Sequence, residues 1–577
     1  MPIHNSDIAD IIRKITDLLS IKGADEFRIR SYREAADSVE KLSDDLSDMV
    51  KSDKDLTTIP DIGESMAEKI REIVKSGSLQ QLDELREEVP EELSDLLKIE
   101  GLGPERVRDL YKELEIETLD QLREAVEANE VQELDGFGEK TEEKIARELE
   151  RQRNQESRML LVRAEEIAEP LKEYLQTCDD VQNVKMAGSY RRRKETVGDL
   201  DILVTGADQK AIIDHFTGFE DVQEVIKKGD DRCSVLLKSN LRVDLVVFEE
   251  KIEGSALLYL TGSKPHTVKL RERAVDQEMK LNEYGLFPED EDEAAASEKE
   301  EQIYDKLGLN YIEPELRENR GEIEAAEKGE LPELIEQSDL MGDIHMHSNH
   351  TDGDHSIEEM AKAAKKMGYK YIAITDHTER VNVAGGLDAD EVKKLMDEIE
   401  KADSEIDGIR ILKGMEIDIL KDGSLDLPDE ILKELDIRIC SVHYHLDLPE
   451  EKQTDRVLKA MKNPHFQILG HPSGRQIEER EAMDLDMDKI MKRAKETHSY
   501  MEINANPHRL DLNDHYAKKA KEMGIKVTIS TDAHSTGGLE NMKYGVSQAR
   551  RGWLEKEDVL NTMSVNELLK ALNGDES

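Results

Sequence analysis

IKVTISTDAH, at 525–534, is a short run of mostly β-branched residues that closes on an acid and a histidine, and six earlier apolar runs have a similar build. They are GDIHMHS (342–348), YKYIAITDH (369–377), IRILKGMEIDI (409–419), IRICSVHYH (437–445), FQILGHP (466–472) and YMEINAN (500–506). Stretches of helical periodicity such as SIEEMAKAAKKMG separate them, so strand alternates with helix and the polar residues collect at strand ends. The pattern predicts a βα-barrel. Active sites of such barrels form at the C-terminal ends of the strands, where His345, His347, His377, Glu416, His443, His471, Asp532 and His534 fall. A single strand-end histidine is more often a hydrogen-bonding core residue than a ligand. Imidazoles and carboxylates gathered at so many strand ends need another account, because a buried unpaired carboxylate is costly and metal coordination removes that cost. Mixed nitrogen and oxygen ligands suit Zn2+ or Mn2+, and their number suits two or three ions acting on phosphate esters.

Through HMHSNHTDG, ITDH, GMEID, CSVHYH, GHP and STDAH, residues 340–577 resemble the PHP (polymerase and histidinol phosphatase) family. The resemblance implies a distorted (βα)7 barrel with His345, His347, Asp352, His377, Glu416, His443, His471, Asp532 and His534 as metal ligands. None of these positions is lost, which implies a working hydrolase. His350, His355, His445, His465, His498, His508 and His515 are left as surface or supporting residues.

A chain of 577 residues holds several domains. No secretory signal is visible and no apolar run approaches membrane-spanning length, so a soluble cytoplasmic protein with no membrane partner is expected. Cys178, Cys233 and Cys440 exclude a disulfide framework and fit a reducing compartment. The net charge of −51 is spread along the whole chain, which points to high internal salt and a salt-loving archaeal source. Against that background basic residues still cluster in SYRRRK (189–194) and SKPHTVKLRER (263–273). Residues 289–301 carry eight acids around three alanines and are expected as a solvated loop. Residues 317–339 are expected as an acidic linker into the barrel.

The first 155 residues are helical by pattern, and one unit occurs three times: IPDIGESMAEKI (59–70), IEGLGPERVRDL (99–110) and LDGFGEKTEEKI (134–145). Each sets glycine in a tight turn before a helix: Gly63, then Gly101 and Gly103, then Gly136 and Gly138. Backbone N–H groups and the helix dipole there can receive a phosphate oxygen without reading sequence. One copy could equally be a plain connector. Three predict helix-hairpin-helix motifs and non-specific DNA binding. FRIRSYREAADSV (27–39) followed by IPDIGESMAEKI resembles the lyase-type domain of family X DNA polymerases. In that family a lysine attacks an abasic sugar as a Schiff base, and Lys69 matches its position. Ser65 stands where a second lysine is common and Asp61 replaces the first glycine. Glu64 and Glu68 nearby would keep the Lys69 ammonium charged, and a surface lysine on a DNA-facing helix is the competing reading.

MAGSYRRRKETVGDLDILV (186–204) joins a Gly-Ser turn, a basic stretch and an Asp-x-Asp pair among apolar residues. On a strand Asp199 and Asp201 point to one face. A third acid, Asp244, lies in the apolar run LRVDLVVF (241–248), where it needs a partner. Three carboxylates holding two Mg2+ ions meet the needs of in-line phosphoryl transfer, so a nucleotidyltransferase palm is predicted. The resemblance to family X polymerases extends over about 1–316. It implies that Asp199, Asp201 and Asp244 are the catalytic acids and that Gly188, Ser189 and Arg192 bind the triphosphate. LLYLTGSKPHTVKLRERA (257–274) resembles the nucleotide-selecting segment, which puts Tyr259 and Gly262 at the sugar and Arg271 near the template strand. Leu260 replaces the usual Phe and Thr267 the usual Asn.

The expected architecture is therefore multidomain α+β and α/β. A lyase-like helical domain (1–85) precedes a fingers-like region with two further hairpins (86–155), a palm (156–253), a nucleotide-selecting subdomain (254–316), the linker (317–339) and the PHP domain (340–577). The expected protein is a DNA polymerase and 3′–5′ exonuclease for gap filling in repair, with abasic-site endonuclease or 3′-phosphatase activity open at the same barrel. Its partners are gapped or nicked double-stranded DNA and dNTPs, its state a monomer and its place the nucleoid. The rivals are a nucleotidyltransferase–phosphatase pair for non-DNA substrates and a DNA-end scaffold with only the PHP nuclease active.

Overall fold

The computed structural model describes residues 5–573 apart from 41–45, 52–53, 77–78, 87, 91, 98, 100, 135, 157 and 292. The chain divides into two compact units, Met1–Glu156 and Ser157–Ser577.

The first unit is helical among its described residues. On the helix Asn5–Lys22, Ile8, Ile12, Ile15 and Leu19 recur every three or four residues and are all buried, giving one apolar face. Helices Glu64–Ser76, Pro104–Leu114 and Glu139–Glu156 begin directly after Gly63, Gly103 and Gly138.

In the second unit the palm is a five-stranded sheet of β1 (Val181–Met186), β2 (Asp199–Gly206), β3 (Val222–Lys228), β4 (Arg232–Leu237) and β5 (Arg242–Phe248), in the order β1-β2-β5-β4-β3. Strands β2 and β5 are parallel neighbours in the centre, with Asp199 opposite Arg242 and Asp201 opposite Asp244. A further subdomain follows, with helices Glu253–Thr261 and Lys264–Asp276. Segment 317–339 is not the free linker expected: Arg317 and Glu322 are fully buried, Ile323 and Ala326 join the core of this subdomain around Tyr304, and Ile335 joins the core of the barrel. Residues 289–301 are only partly the solvated loop expected, since Ala296 and Glu300 are buried. The alanine bridges to Leu286, and the glutamate meets two arginines.

The barrel comprises β6 (Gly342–Asp343), β7 (Tyr371–Ile374), β8 (Arg410–Asp418), β9 (Ile437–Ser441), β10 (Ile468–Leu469), β11 (Tyr500–Asn504) and β12 (Val527–Ser530), all parallel and paired in chain order. A bridge between Met346 and Ala533 brings the first and last strands together past their ends. Side chains alternate: Tyr371, Ala373, Leu412, Ile439 and Ile468 pack with Leu568 and Leu572 of the final helix, while Ile372, Ile374, Ile411 and Cys440 pack into the larger core with the surrounding helices. Palm and barrel share a core. Leu510 and Tyr544 of the barrel are buried among palm residues such as Val197 and Leu200. Among the described residues no helix is long and apolar enough to cross a membrane.

Candidate active sites

Strand pairing alone brings the three palm acids together. Asp201 and Asp244 are register partners on parallel strands, and Asp199 shares the face of Asp201 two residues away. Gly188 carries φ +57, and a Cβ there would lie 2.0 Å from Asp201 Oδ2, so only glycine lets the turn close on the carboxylate. Burial and the neighbouring Asp199 and Asp244 charges raise the Asp201 pKa to about 7, and burial with Asp244 raises that of Asp199. A site where burial and neighbouring carboxylates oppose the ionisation of Asp199 and Asp201 gains by taking up cations. Asp244 is held in place by Ser234 and by the guanidinium of Arg242, whose Nη2 lies 3.0 Å away.

A cleft of about 490 Å³ opens beside the triad, lined by Arg158, Gly188, Ser189, Arg192, Tyr259, Leu260, Gly262, Lys264, Thr267 and Arg271. The structure thus gathers every residue expected to bind nucleotide, and both departures from the family pattern. Ser189 Oγ is buried without a hydrogen-bond partner, as is Arg271 Nε, so the wall has unused hydrogen-bonding capacity. The Arg271 guanidinium lies 5.2 Å from the Tyr259 ring centre. Arg192 donates to the carbonyl of Thr261 and to Glu318, 3.1 Å away. The neighbouring Arg191 grips Glu300 with both terminal nitrogens at 2.9 and 2.6 Å, and Arg317 meets the same carboxylate at 2.6 Å. Arg158, which drew no attention in the sequence, reaches the cleft from the start of the unit and bonds Thr196.

At the barrel mouth, strand ends bring His345, His347, Asp352, His377, Glu416, His443, His471, Asp532 and His534 into one cluster. Glu416 is its centre: Oε1 lies 2.8 Å from His471 and 3.2 Å from His443, and Oε2 lies 3.0 Å from His377 and 3.5 Å from His345. Three groups place their ligand atoms within 4.8 Å of one another: His347, Asp352, His377 and His534; His345, His347 and Asp532; His377, Glu416 and His443. The buried Nε2 of His345 and Nδ1 of His347 have no hydrogen-bond partner. Orphaned imidazole nitrogens beside buried carboxylates fit divalent ions, and three overlapping groups fit two or three of them. Burial opposes charge here, but the carboxylates outweigh it: Glu416 and Asp352 lift His377 to about 10, and Asp352 and Asp532 lift His534 to about 9.

Two carboxylates behind the cluster were missed in the sequence. Glu502 accepts from His345 Nδ1 at 2.6 Å and from the His471 amide at 2.7 Å, and Asp418 lies 3.1 Å from His443 Nδ1. Such partners fix the tautomer of a ligating imidazole. Asp418 was readable, lying two residues beyond Glu416 on one strand, hence on one face. Arg509 was not: it reaches the 220 Å³ mouth from a turn, its Nε 3.6 Å from Asp532. His350, among the histidines left aside, pairs with Ser348 and Glu398.

In the first unit Gly101, Gly136 and Gly138 have φ of +99, +85 and +115, the left-handed region glycine enters freely. Asp61 takes the place of the first glycine and adopts φ +61, its carboxylate accepting from Ser38 Oγ at 2.9 Å. An ideal Cβ on Gly63, Gly103, Gly136 or Gly138 would meet nothing within 4 Å, so these turns are open to an approaching backbone. Arg106 joins two of them, donating to the Gly101 carbonyl at 2.8 Å and the Gly136 carbonyl at 3.1 Å. Lys69 Nζ lies 3.0 Å from Ser65 Oγ and 5.9 Å from the Tyr32 ring centre.

Family models match along the chain: a helix-hairpin-helix domain at 3–79, a SAM-like helix-hairpin-helix tandem at 80–151, the DNA polymerase beta palm at 162–250, the DNA polymerase beta thumb at 256–318 and the PHP domain at 343–506. The chain is 37% identical to the DNA polymerase/3′-5′ exonuclease PolX of Bacillus subtilis (strain 168), over 98% of this chain and 99% of that protein. It is 34% identical to a probable phosphatase of Thermoanaerobacter sp. (strain X514), over 39% of this chain and 91% of the relative. A probable phosphatase of Caldanaerobacter subterraneus is 35% identical over 36% of this chain and 81% of the relative.

Proposed function

The chain belongs to the family of the DNA polymerase/3′-5′ exonuclease PolX, and from that premise we propose that it repairs DNA by filling short gaps at the palm and cleaning 3′ ends at the barrel. The observation that carries this reading is the coexistence, in one unit, of an acid triad beside a basic nucleotide-sized cleft and a histidine–carboxylate cluster fit for several ions.

At the palm, Asp199, Asp201 and Asp244 would hold Mg2+. The chemistry the ions supply when bound is activation of the primer hydroxyl and neutralisation of the leaving pyrophosphate. Ser189, Arg192 and Arg158 offer a hydroxyl and two guanidiniums to the triphosphate, and the turn at Gly188 admits its oxygens close to the backbone. Tyr259 and Gly262 face the sugar. Leu260 and Thr267 line that wall where the family usually has Phe and Asn, so the choice between deoxy- and ribonucleotides does not follow from the family pattern. Glu318 must yield Arg192 as the triphosphate enters, an exchange of one anion for another.

At the barrel, the nine ligands would hold two or three Mn2+ or Zn2+ ions. When bound these neutralise phosphate oxygens and provide an activated water at neutral pH. Glu502 and Asp418 orient His345 and His443, and Arg509 offers its guanidinium to a non-bridging oxygen of the scissile phosphate. The hairpin turns would hold the DNA backbone, and Lys69 would supply the amine for Schiff-base attack on a 5′-deoxyribose phosphate. A monomer in the nucleoid of a high-salt cytoplasm completes the reading.

The test is a 5′-phosphorylated one-nucleotide gap, incubated with and without dNTPs in Mg2+ and then in Mn2+. Extension with dNTPs and shortening without them are expected. On a second substrate whose primer ends in a 3′-phosphate, removal of that phosphate with no shortening of either substrate would restrict the barrel to phosphatase chemistry. Failure to extend in either metal would remove the polymerase.

A further inference from the structure

Arg509 and Leu510 are consecutive, yet they serve different domains. The Arg509 side chain faces Asp532 in the barrel mouth, whereas Leu510 is buried in the core of the palm. The turn that carries them is held by Arg475, whose Nε donates to the Arg509 carbonyl at 2.9 Å and whose Nη2 donates to the Leu510 carbonyl at 2.7 Å. The same guanidinium grips Glu195 through two bonds of 3.2 and 2.7 Å. Glu195 belongs to the palm, four residues before Asp199. From the barrel side Asp511 fastens the turn by accepting from the amides of Ser473 and Gly474 at 2.8 and 2.9 Å, and the Leu510 backbone lies at φ +44.

We propose that the palm is a working part of the nuclease: Glu195, through Arg475, is a positioning residue that sets Arg509 against the scissile phosphate. The inference rests on the reading of the barrel as the 3′-trimming site with Arg509 at the phosphate. Its physical basis is short. An arginine helps in-line attack only when its fork is already aimed, because a displacement near 1 Å can cost about a hundredfold in rate. The turn carrying Arg509 has no strand of its own to hold it. Asp511 and backbone bonds to Asn506 hold it from the barrel side, and the Arg475–Glu195 pair with Leu510 seated in the palm holds it from the other, so loosening the palm-side anchor lets the guanidinium swing. Glu195 itself touches no substrate.

The experiment uses the full-length protein in four forms: wild type, Glu195→Gln, Arg509→Ala and the double variant. Glu195→Gln keeps the shape of the side chain and removes the charge. We expect it to slow trimming of a single-stranded oligonucleotide about ten- to a hundredfold and to weaken competitive inhibition by inorganic phosphate. The double variant should trim no more slowly than Arg509→Ala alone, because both changes remove one function. A general loss of structure would instead multiply the two losses. Arg475→Gln, which breaks the pair from the barrel side, should reproduce the effect. In protein stripped of metal, amide exchange at residues 506–511 should quicken in Glu195→Gln, a readout independent of activity. Wild-type trimming by Glu195→Gln, or multiplied losses in the double variant, would overturn the proposal. If Arg509→Ala trims normally there is nothing to position and the proposal falls, while trimming that survives His345→Ala would instead remove the barrel assignment on which it rests.

Discussion

Nδ1 of His345 lies 2.6 Å from Oε1 of Glu502, and both side chains are fully buried. The carboxylate keeps the proton on Nδ1 and turns Nε2 toward the other ligands. We expect Glu502→Gln to weaken metal retention about 10- to 100-fold. Chelator titration followed by metal analysis checks this, and excess Mn2+ should restore part of the trimming. Unchanged metal content would show that His345 is oriented by packing alone.

Asp244→Asn should abolish nucleotide addition and leave 3′ trimming largely intact, since the triad and the barrel cluster are built from separate residues. Single-nucleotide insertion and exonuclease assays on one preparation separate the two. Conversely His345→Ala or Glu416→Ala should remove trimming and spare insertion. A folded Asp244→Asn protein lacking both activities would contradict the separation.

Glu300 lies between Arg191 and Arg317, and despite burial these charges lower its pKa from 4.5 to about 2. A depressed carboxyl contributes stability that is fully present above the unfolded value and is lost as pH falls toward the folded one, here between about 4.5 and 2. Glu300→Ala strands two guanidiniums and should cost about 3–5 kcal/mol at neutral pH. Thermal melts at pH 7 and near pH 3 check both points: the difference between variant and wild type should shrink in acid.

Much of this site geometry was legible in advance because it depends on local periodicity. Asp199, Asp201 and the barrel histidines sit at strand positions that pattern alone defines, and pairing then gathers them. Glu300 was misread because eight acids in thirteen residues look solvated, and nothing local announces two arginines from elsewhere in the chain. Arg509 and Glu195 were equally silent, since their meaning lies in a contact 280 residues apart between Arg475 and Glu195. Glu502 was hidden because it sits within the run YMEINAN, between Met501 and Ile503, rather than at the strand end where ligands were sought.

Lys69 should form a covalent adduct with a 5′-deoxyribose-phosphate end on borohydride reduction. Lys69→Ala should remove the adduct, and one that persists would identify another amine.

Gap filling should persist or improve near molar KCl. A chain at −51 repels DNA at low ionic strength, and at 1 M the screening length is only about 3 Å. Activity measured from 50 mM to molar KCl checks this; a maximum at the low end, with the protein folded throughout, would oppose it.

The turn at Asp61 gives that salt response a local counterpart. On the proposed reading Gly101 and Gly136 would offer a phosphate bare amides, and such a grip should gain nothing from added potassium. Asp61 sets a carboxylate in the equivalent turn and keeps the left-handed backbone that glycine would hold without penalty. A phosphate arriving there would meet a like charge unless a monovalent cation arrived with it. We therefore expect the turn at Asp61 to add to the grip on DNA only where a cation bridges its carboxylate and the phosphate, so that one of the three turns answers to the ions of the surroundings and the other two do not.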